Sequence, residues 1–360
     1  INLFMTNRKR DIFFSKAINE SLVLAMKKNK NVLLIGLGVD DPKGIFGTTV
    51  GINKIFKKDR VFDFPTAENA MTGIAIGSSL VGMRPVITHQ RVEFSLLSLE
   101  QIINQAAKWC FMSAGKKSVP LVIRLIIGRG WGQGPQHSQS LESIFAHIPG
   151  LKIVCPSSPV SAKGLLTSSI EDNNPVIFFE HRWLHVMKGN VPKKYYKLPL
   201  GKASVLKKGK DITIVSSSYM VVECLRSSNI LKNYSINVEI VDLQSLRPLD
   251  INAIMKSVRK TKKVLVVDNG MMNFGISAEI IAKIYENLKL NERKKIVLKR
   301  IGLLDLPIPS SRELAKYIYP NYLTICKIVG KLLNKNLKNL EKYNKKVPSD
   351  QPNDKFMGPF

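Results

Sequence analysis

The chain has 360 residues, 44% of them hydrophobic and 23% charged. That composition excludes wholesale disorder, and the length suits two domains that each bury a core. The 55 Lys+Arg against 27 Asp+Glu give a net charge of +28, yet lysine outnumbers arginine 41 to 14, which argues against a dedicated nucleic-acid reader.

No apolar run approaches the ~20 residues needed to cross a bilayer. The first residues show no apolar stretch followed by a small-residue cleavage site, so a cytoplasmic protein is expected, or an organelle-matrix one if a targeting segment was removed. Helical periodicity predicts a helix over 15–28, followed by a buried strand over 32–36. Further helices are predicted over 68–81, 97–112 and 159–170, with strands over 119–124, 151–154 and 176–179. Apolar, β-branched runs alternating with helices indicate a parallel sheet covered on both faces. The stretch 181–202 is basic and broken by Gly189, Pro192 and Pro199, and reads as an interdomain crossing. A second strand series follows at 212–215, 238–241, 264–267 and 296–298. The expected fold is therefore α/β with two doubly wound domains, 1–185 and 203–346, a linker over 186–202 and a loose tail over 347–360. Near the end, Ile325, Val329, Leu332, Leu333, Leu337 and Leu340 make one stripe of a basic amphipathic helix over 325–343, expected to pack on its own domain. The charge is uneven: residues 1–180 hold 21 basic and 13 acidic residues, 181–360 hold 34 and 14. The second half is thus the part suited to an acidic partner surface.

Motifs narrow the chemistry. Cys110, Cys155, Cys224 and Cys326 are far apart and form no C-x-x-C pair, so free packed thiols are expected. Gly36-Leu37-Gly38 follows a strand but lacks the third glycine of a dinucleotide fingerprint, and no G-x-x-x-x-G-K-[ST], H-E-x-x-H or G-x-S-x-G occurs. More telling is Asp63-Phe64-Pro65-Thr66-Ala67-Glu68-Asn69-Ala70, where a strand ends and a helix begins with a carboxylate in its first turn. That helix carries Ala70, Gly73, Ala75, Gly77, Ser78 and Ser79, small enough for another backbone or a cofactor to approach closely.

Around Glu68 the chain resembles the β subunit of the thiamine-diphosphate-dependent first component of 2-oxo acid dehydrogenase complexes. The matching strings are FPTAENAMTGIAIGSSLVGMRPV, LEQIINQAAKWCFMSAG, VPLVIR, QHSQSLESIFAHIPGLKIVCPSSP and IEDNNPVIFFE, in family order. Later, LQSLRPLD, SVRKTKKVLVVDNG and LDLPIPSS resemble the transketolase-like C-terminal domain. The resemblance implies a pyrimidine-binding domain followed by that C-terminal domain. It also implies that Glu68 hydrogen-bonds N1′ of the cofactor's aminopyrimidine and so promotes proton removal from the thiazolium, after which the 2-oxo acid loses carbon dioxide. By the same resemblance His137 serves substrate binding and acyl transfer, Phe94 packs on the pyrimidine ring, and Thr66 and Gln90 belong to the cofactor site. Leu121, Ser169, Ile170, Asp172 and Asn174 fall where many relatives bind a structural potassium ion.

Two departures stand out. Leu37 and Gly38 occupy the place of a usual acidic pair, and Thr88-His89-Gln90-Arg91 replaces a more apolar stretch. His89, Gln90 and Arg91 either bring polarity to the active-site mouth or form a solvated loop. No G-D-G occurs in the chain, so the magnesium-held diphosphate half of the site is expected on an α subunit, in an α2β2 assembly. Pyruvate is the default substrate, with acyl transfer to a lipoyl-bearing acyltransferase. The alternatives are a thiamine-dependent carboligase without a lipoyl acceptor, or a catalytically silent basic scaffold.

Overall fold

A computed structural model of the chain describes residues 10–129 and 132–344; the expected tail lies outside them. Contacts divide the described residues into two compact units, 10–127 with 144–200, and 128–143 with 201–344. Among the described residues, no helix is long and apolar enough to cross a membrane.

In the first unit, β1 (Asp11–Phe13) runs into helix α1 (Phe14–Lys28) and then β2 (Val32–Gly36) and β3 (Val61–Asp63). Helix α2 (Glu68–Leu80) precedes β4 (Arg84–His89), β5 (Val122–Ile127) and β6 (Lys152–Val154), and helix α3 (Pro159–Glu171) precedes β7 (Val176–His181) and β8 (Lys188–Asn190). The strands lie in the order β6-β7-β5-β4-β2-β3, all parallel. Every residue of β2, β5 and β7 is buried, as sheets covered on both faces require. Helices α1 and α3 pack together, with Ser21 and Thr167 hydroxyls 2.9 Å apart in the contact. The buried Lys163 of α3 donates to Glu20 at 3.1 Å and to the carbonyls of Pro192 and Lys193 at 2.7 and 3.0 Å. The basic segment after β7 is thereby held on the first unit as far as Leu200.

The predicted helix over 97–112 is not one regular helix. A 3-10 turn (Val92–Ser98) leads to a π turn (Gln101–Ala106) and a last short turn (Trp109–Met112). Ser95 and Ser98 hydroxyls donate back to the carbonyls three residues earlier, at 2.6 and 3.0 Å. Ala107 is also crowded from outside the helix: a Cβ on Gly150 would lie 1.9 Å from its carbonyl oxygen.

In the middle of this sheet sits an ion pair with no solvent exposure on either side chain. Arg124 of β5 donates through Nε and Nη2 to the two carboxylate oxygens of Glu180 of β7, at 2.6 and 3.0 Å. Its Nη1 reaches the Thr88 hydroxyl of β4 at 3.1 Å, and His185 Nε2 lies 3.0 Å from Glu180 Oε2. Burial pushes the Glu180 carboxyl up, but the charge of Arg124 and hydrogen bonds from His185 and Arg124 prevail and hold it at about 2. Burial lowers His185 to about 4 despite Glu180, and burial alone lowers His89 to about 4.

The second unit contains β9 (Ser204–Lys207), β10 (Ile212–Ser216), α4 (Ser218–Lys232), β11 (Val238–Asp242), α5 (Ile251–Thr261), β12 (Lys263–Met271), α6 (Ile276–Glu286), β13 (Val297–Leu303) and α7 (Tyr322–Leu332). The sheet order is β13-β12-β10-β11-β9, parallel except for β9. Helix α7 packs on α4, as the apolar stripe predicts, but it stops at Leu332 rather than running to 343. Asn334 and Asn339 take left-handed backbone angles (φ 53° and 56°) and turn the chain back so that Leu340 is buried. Asparagine tolerates that conformation at helix ends. Glu142, buried in this unit, is pushed up to about 8 by burial first and the charge of Asp268 second.

Replacing Arg124 with Met leaves Glu180 buried without its counter-charge and should cost about 3–5 kcal/mol, read by urea unfolding. His89, His185 and Glu180 all bind fewer protons folded than unfolded. Their contribution is complete above pH 6.5, falls between 6.5 and about 4 for the histidines, and falls between 4.5 and about 2 for Glu180. A urea midpoint unchanged between pH 7 and 5 would contradict this. Glu142 has the opposite sign, its contribution being full below pH 4.5 and lost as pH rises to about 8. Glu142→Gln should therefore raise the unfolding temperature more at pH 8.5 than at pH 5.5, and an equal effect at both would place the proton elsewhere.

Candidate functional site

The site is built at the carboxyl ends of the parallel strands, where ligands settle in open α/β sheets. After β3 the chain passes through Pro65, Thr66 and Ala67, all exposed, and enters α2 at Glu68. On α2 the buried residues are Glu68, Met71, Thr72, Ala75, Ile76 and Ser79, one stripe at helical spacing. Glu68 therefore sits at the first position of the face that packs on the sheet and is only 5% exposed. Its backbone carbonyl accepts from Thr72 Oγ1 at 2.8 Å. Among the described residues, no group hydrogen-bonds its carboxyl. A carboxyl without a protein donor is open to a ligand that donates to it.

The 3-10 turn carrying Phe94 packs against α2 and against the end of β4, and Phe94 is half-buried. Gln90, one residue beyond β4, is exposed and donates through Nε2 to the carbonyl of Leu37 at 2.9 Å. Gln90 thus braces the loop after β2. The same loop is tied by Asp63, whose carboxylate accepts from the amides of Gly38 and Val39 at 2.9 and 2.7 Å. The Gly38 and Val39 amides are thus committed to a carboxylate, consistent with the missing nucleotide fingerprint. The solvated-loop reading of 88–91 fails for three of its four residues: Thr88, His89 and Arg91 are all buried.

His137 belongs to the other unit. It is half-buried on the segment Gly128–Ser143, which belongs to the second unit, whereas Glu68, Thr66, Gln90 and Phe94 belong to the first. That segment is anchored by Arg129 against the Tyr319 ring, 4.1 Å from its centroid, and by close packing of Gly134 on Ser310. Beside it, a cleft of about 400 Å³ is lined by Pro135, Gln139, Met271, Asp305, Leu306, Pro307 and Ile308.

The residues matched to a potassium site are close together, and most of their oxygens already accept a hydrogen bond. Arg84 donates to the carbonyls of Ile170 and Asp172 at 2.9 and 2.7 Å. Leu121 and Ser169 carbonyls accept from the amides of Val176 and Asp172 at 2.9 and 3.3 Å. The Asp172 carboxylate takes Lys152 at 2.5 Å and both the amide and the side chain of Asn174, at 2.9 and 3.2 Å. An ion there would share the Leu121, Ser169, Ile170 and Asp172 oxygens with existing donors and sit beside the Arg84 guanidinium. Among the described residues, no group of three His, Cys, Asp or Glu could hold a metal ion, and all four cysteines are free.

Sequence reasoning missed Arg182 and the Arg124–Glu180–His185 network. Their one visible signal was charge inside or just after runs of otherwise apolar strand residues.

Comparison with known proteins agrees with this architecture. Residues 10–186 match the family described as transketolase, pyrimidine binding domain, and 201–325 match transketolase, C-terminal domain. The chain is 41% identical over 314 residues to the pyruvate dehydrogenase E1 component subunit beta of Porphyra purpurea, covering 87% of this chain and 94% of that one. It is 39% identical over 284 residues to the acetoin:2,6-dichlorophenolindophenol oxidoreductase subunit beta of Cupriavidus necator, covering 76% and 84%. Among solved structures, a split gene transketolase (inactive beta4 tetramer) superposes with a TM-score of 0.72 at 21% identity, over 90% of this chain and 99% of that one, and shares the fold. The chain belongs to the family of β subunits of the thiamine-diphosphate-dependent 2-oxo acid dehydrogenases.

Proposed function

We propose that the chain is the pyrimidine-side half of a two-chain active site, completed by an α subunit that carries the diphosphate and its magnesium ion. The observation that carries this reading is Glu68, a residue only 5% exposed at the first turn of α2 whose carboxyl has no donor among the described residues. Bound thiamine diphosphate supplies the electron sink for decarboxylating a 2-oxo acid. Glu68 holds and exchanges a proton at the aminopyrimidine nitrogen. Phe94, on the turn packed beside α2, supplies an apolar wall for the ring, and Thr66 lines the entrance. Gln90 positions the loop after β2. His137 takes the substrate and acyl-transfer role.

On this assignment the pyrimidine-side domain expected over 1–185 keeps 186–200 and gives up 128–143, which groups with the assembly domain expected over 203–346. Close approach of a partner is supported by α2, where a Cβ on Gly77 would meet nothing within 4 Å and Ile74 is 55% exposed. An α2β2 assembly and a lipoyl-bearing acceptor complete the reading, with pyruvate the first substrate to assay.

Glu68→Gln should fold and bind the α subunit but lose about 10²–10⁴-fold in kcat, measured on the reconstituted pair with 2-oxo acid and an artificial electron acceptor. Turnover within a few-fold of wild type would overturn the assignment. The chain by itself should bind thiamine diphosphate weakly in calorimetry. Tight, magnesium-dependent binding without the partner would contradict the shared site.

A further inference from the structure

His137 lies on a loop that is closed at its base and pinned on both sides. The amide of Gly128 donates to the carbonyl of Gln139 at 2.9 Å, which closes the loop. Before His137, Arg129 lies over the Tyr319 ring and Gly134 packs on Ser310. After it, the Ser140 carbonyl lies against Gly270 of β12, where an added Cβ would come within 3.2 Å of its oxygen. Glu142 follows, 3% exposed and acted on by the charge of Asp268 from the same strand. Pro135 and Gln139, on either side of His137 in the chain, line the cleft with Met271 and Ile308.

Asp268 is 9% exposed, and both of its oxygens are engaged. Oδ1 accepts from the Gly270 amide at 3.1 Å, and Oδ2 from the Ser277 amide in the first turn of α6 at 2.7 Å. Such donors favour the charged form. Two carboxyls buried together cannot both be charged without strong repulsion, so the proton resides on Glu142. Burial, with the charge of Asp268, pushes the Glu142 carboxyl up to about 8. The other charged groups around the segment face elsewhere: Arg129 the Tyr319 ring, and Asp305 the Asn273 amide group, from which it accepts at 3.0 Å.

Resting on the reading above, we propose that Glu142 is a positioning residue for His137, a proton latch that holds the 128–143 segment on β12 beside Asp268. While Glu142 is uncharged, the segment stays packed and His137 keeps its place. When Glu142 gives its proton to solvent, repulsion from Asp268 lifts the segment, and His137 is displaced with it. The reaction thereby acquires an alkaline limit set by a residue that acts only through the loop.

Hydrogen exchange on the full chain reads the segment directly. Protection of the 128–143 peptide, corrected for the intrinsic rate at each pH, should fall about tenfold or more between about pH 7 and pH 9.5 in wild type. In Glu142→Gln it should change less than about twofold. Glu142→Leu, also uncharged at every pH, supplies the same test if the amide does not pack. The reconstituted pair is then assayed with pyruvate over the same range, where kcat/KM should fall at least about fivefold more in wild type than in Glu142→Gln. Protection independent of pH in wild type, or lost equally in the neutral variants, would overturn the latch and leave the thiamine-dependent reading standing. Identical pH profiles of kcat/KM in wild type and Glu142→Gln would overturn the link to His137. The expected exchange behaviour with no turnover of any 2-oxo acid would support the latch and overturn that reading.

Discussion

The first unit is organised around one fully buried ion pair, Arg124 with Glu180, in the centre of a parallel sheet. Charges in such a place are tolerated only when geometry and further hydrogen bonds satisfy them. Here both carboxylate oxygens and three guanidinium nitrogens are engaged, and the partners reach from β5 and β7 to β4 and to the turn after β7. The pair therefore fixes the relative register of three strands at their carboxyl ends. Everything of chemical interest in this unit emerges at that edge: Glu68 after β3, Gln90 and Arg91 after β4, and Arg182 after β7.

Helix α2 shows how a catalytic group is buried by ordinary helix geometry. The stripe Met71, Thr72, Ala75, Ile76 and Ser79 exists to pack the helix. A residue at the start of the same stripe is buried with it whether or not it is apolar. Placing a carboxylate there puts it at the favourable end of the helix dipole, without a side-chain partner among the described residues. The opposite face keeps Ala70 and Gly77 open to solvent, so the helix can be approached from outside while its first turn faces in.

The large positive charge divides into two populations with different physics. Most of it is lysine on exposed faces, screened by salt and adaptable. The cations that shape the candidate site are buried arginines, few in number and fixed by neighbours: Arg124 on Glu180, Arg84 on the carbonyls of Ile170 and Asp172, Arg91 and Arg182 on Phe46. Net charge by itself pointed toward an acidic partner surface. Burial shows that a handful of arginines carries the local electrostatics.

The α/β class, the strand series and Glu68 at a strand-to-helix junction were legible in the residues, because apolar periodicity and Pro-bounded strand ends are local signals. Local signals fail where side chains compete with the backbone. The segment 97–112 breaks into 3-10 and π turns around Ser95 and Ser98, and the last helix ends early at two left-handed asparagines. The residues matched to a potassium site were visible in the sequence, but only the fold shows Arg84 donating to the Ile170 and Asp172 carbonyls and Lys152 to the Asp172 carboxylate. Arg91 and Arg182, like Arg124 and Glu180, are separated by many residues and meet only because strand order makes distant strand ends neighbours. The sequence by itself determined the elements and the family, since both are written in contiguous strings. Tertiary structure alone decided which charges are buried and which of them share a ring, because burial and pairing are set by sheet order.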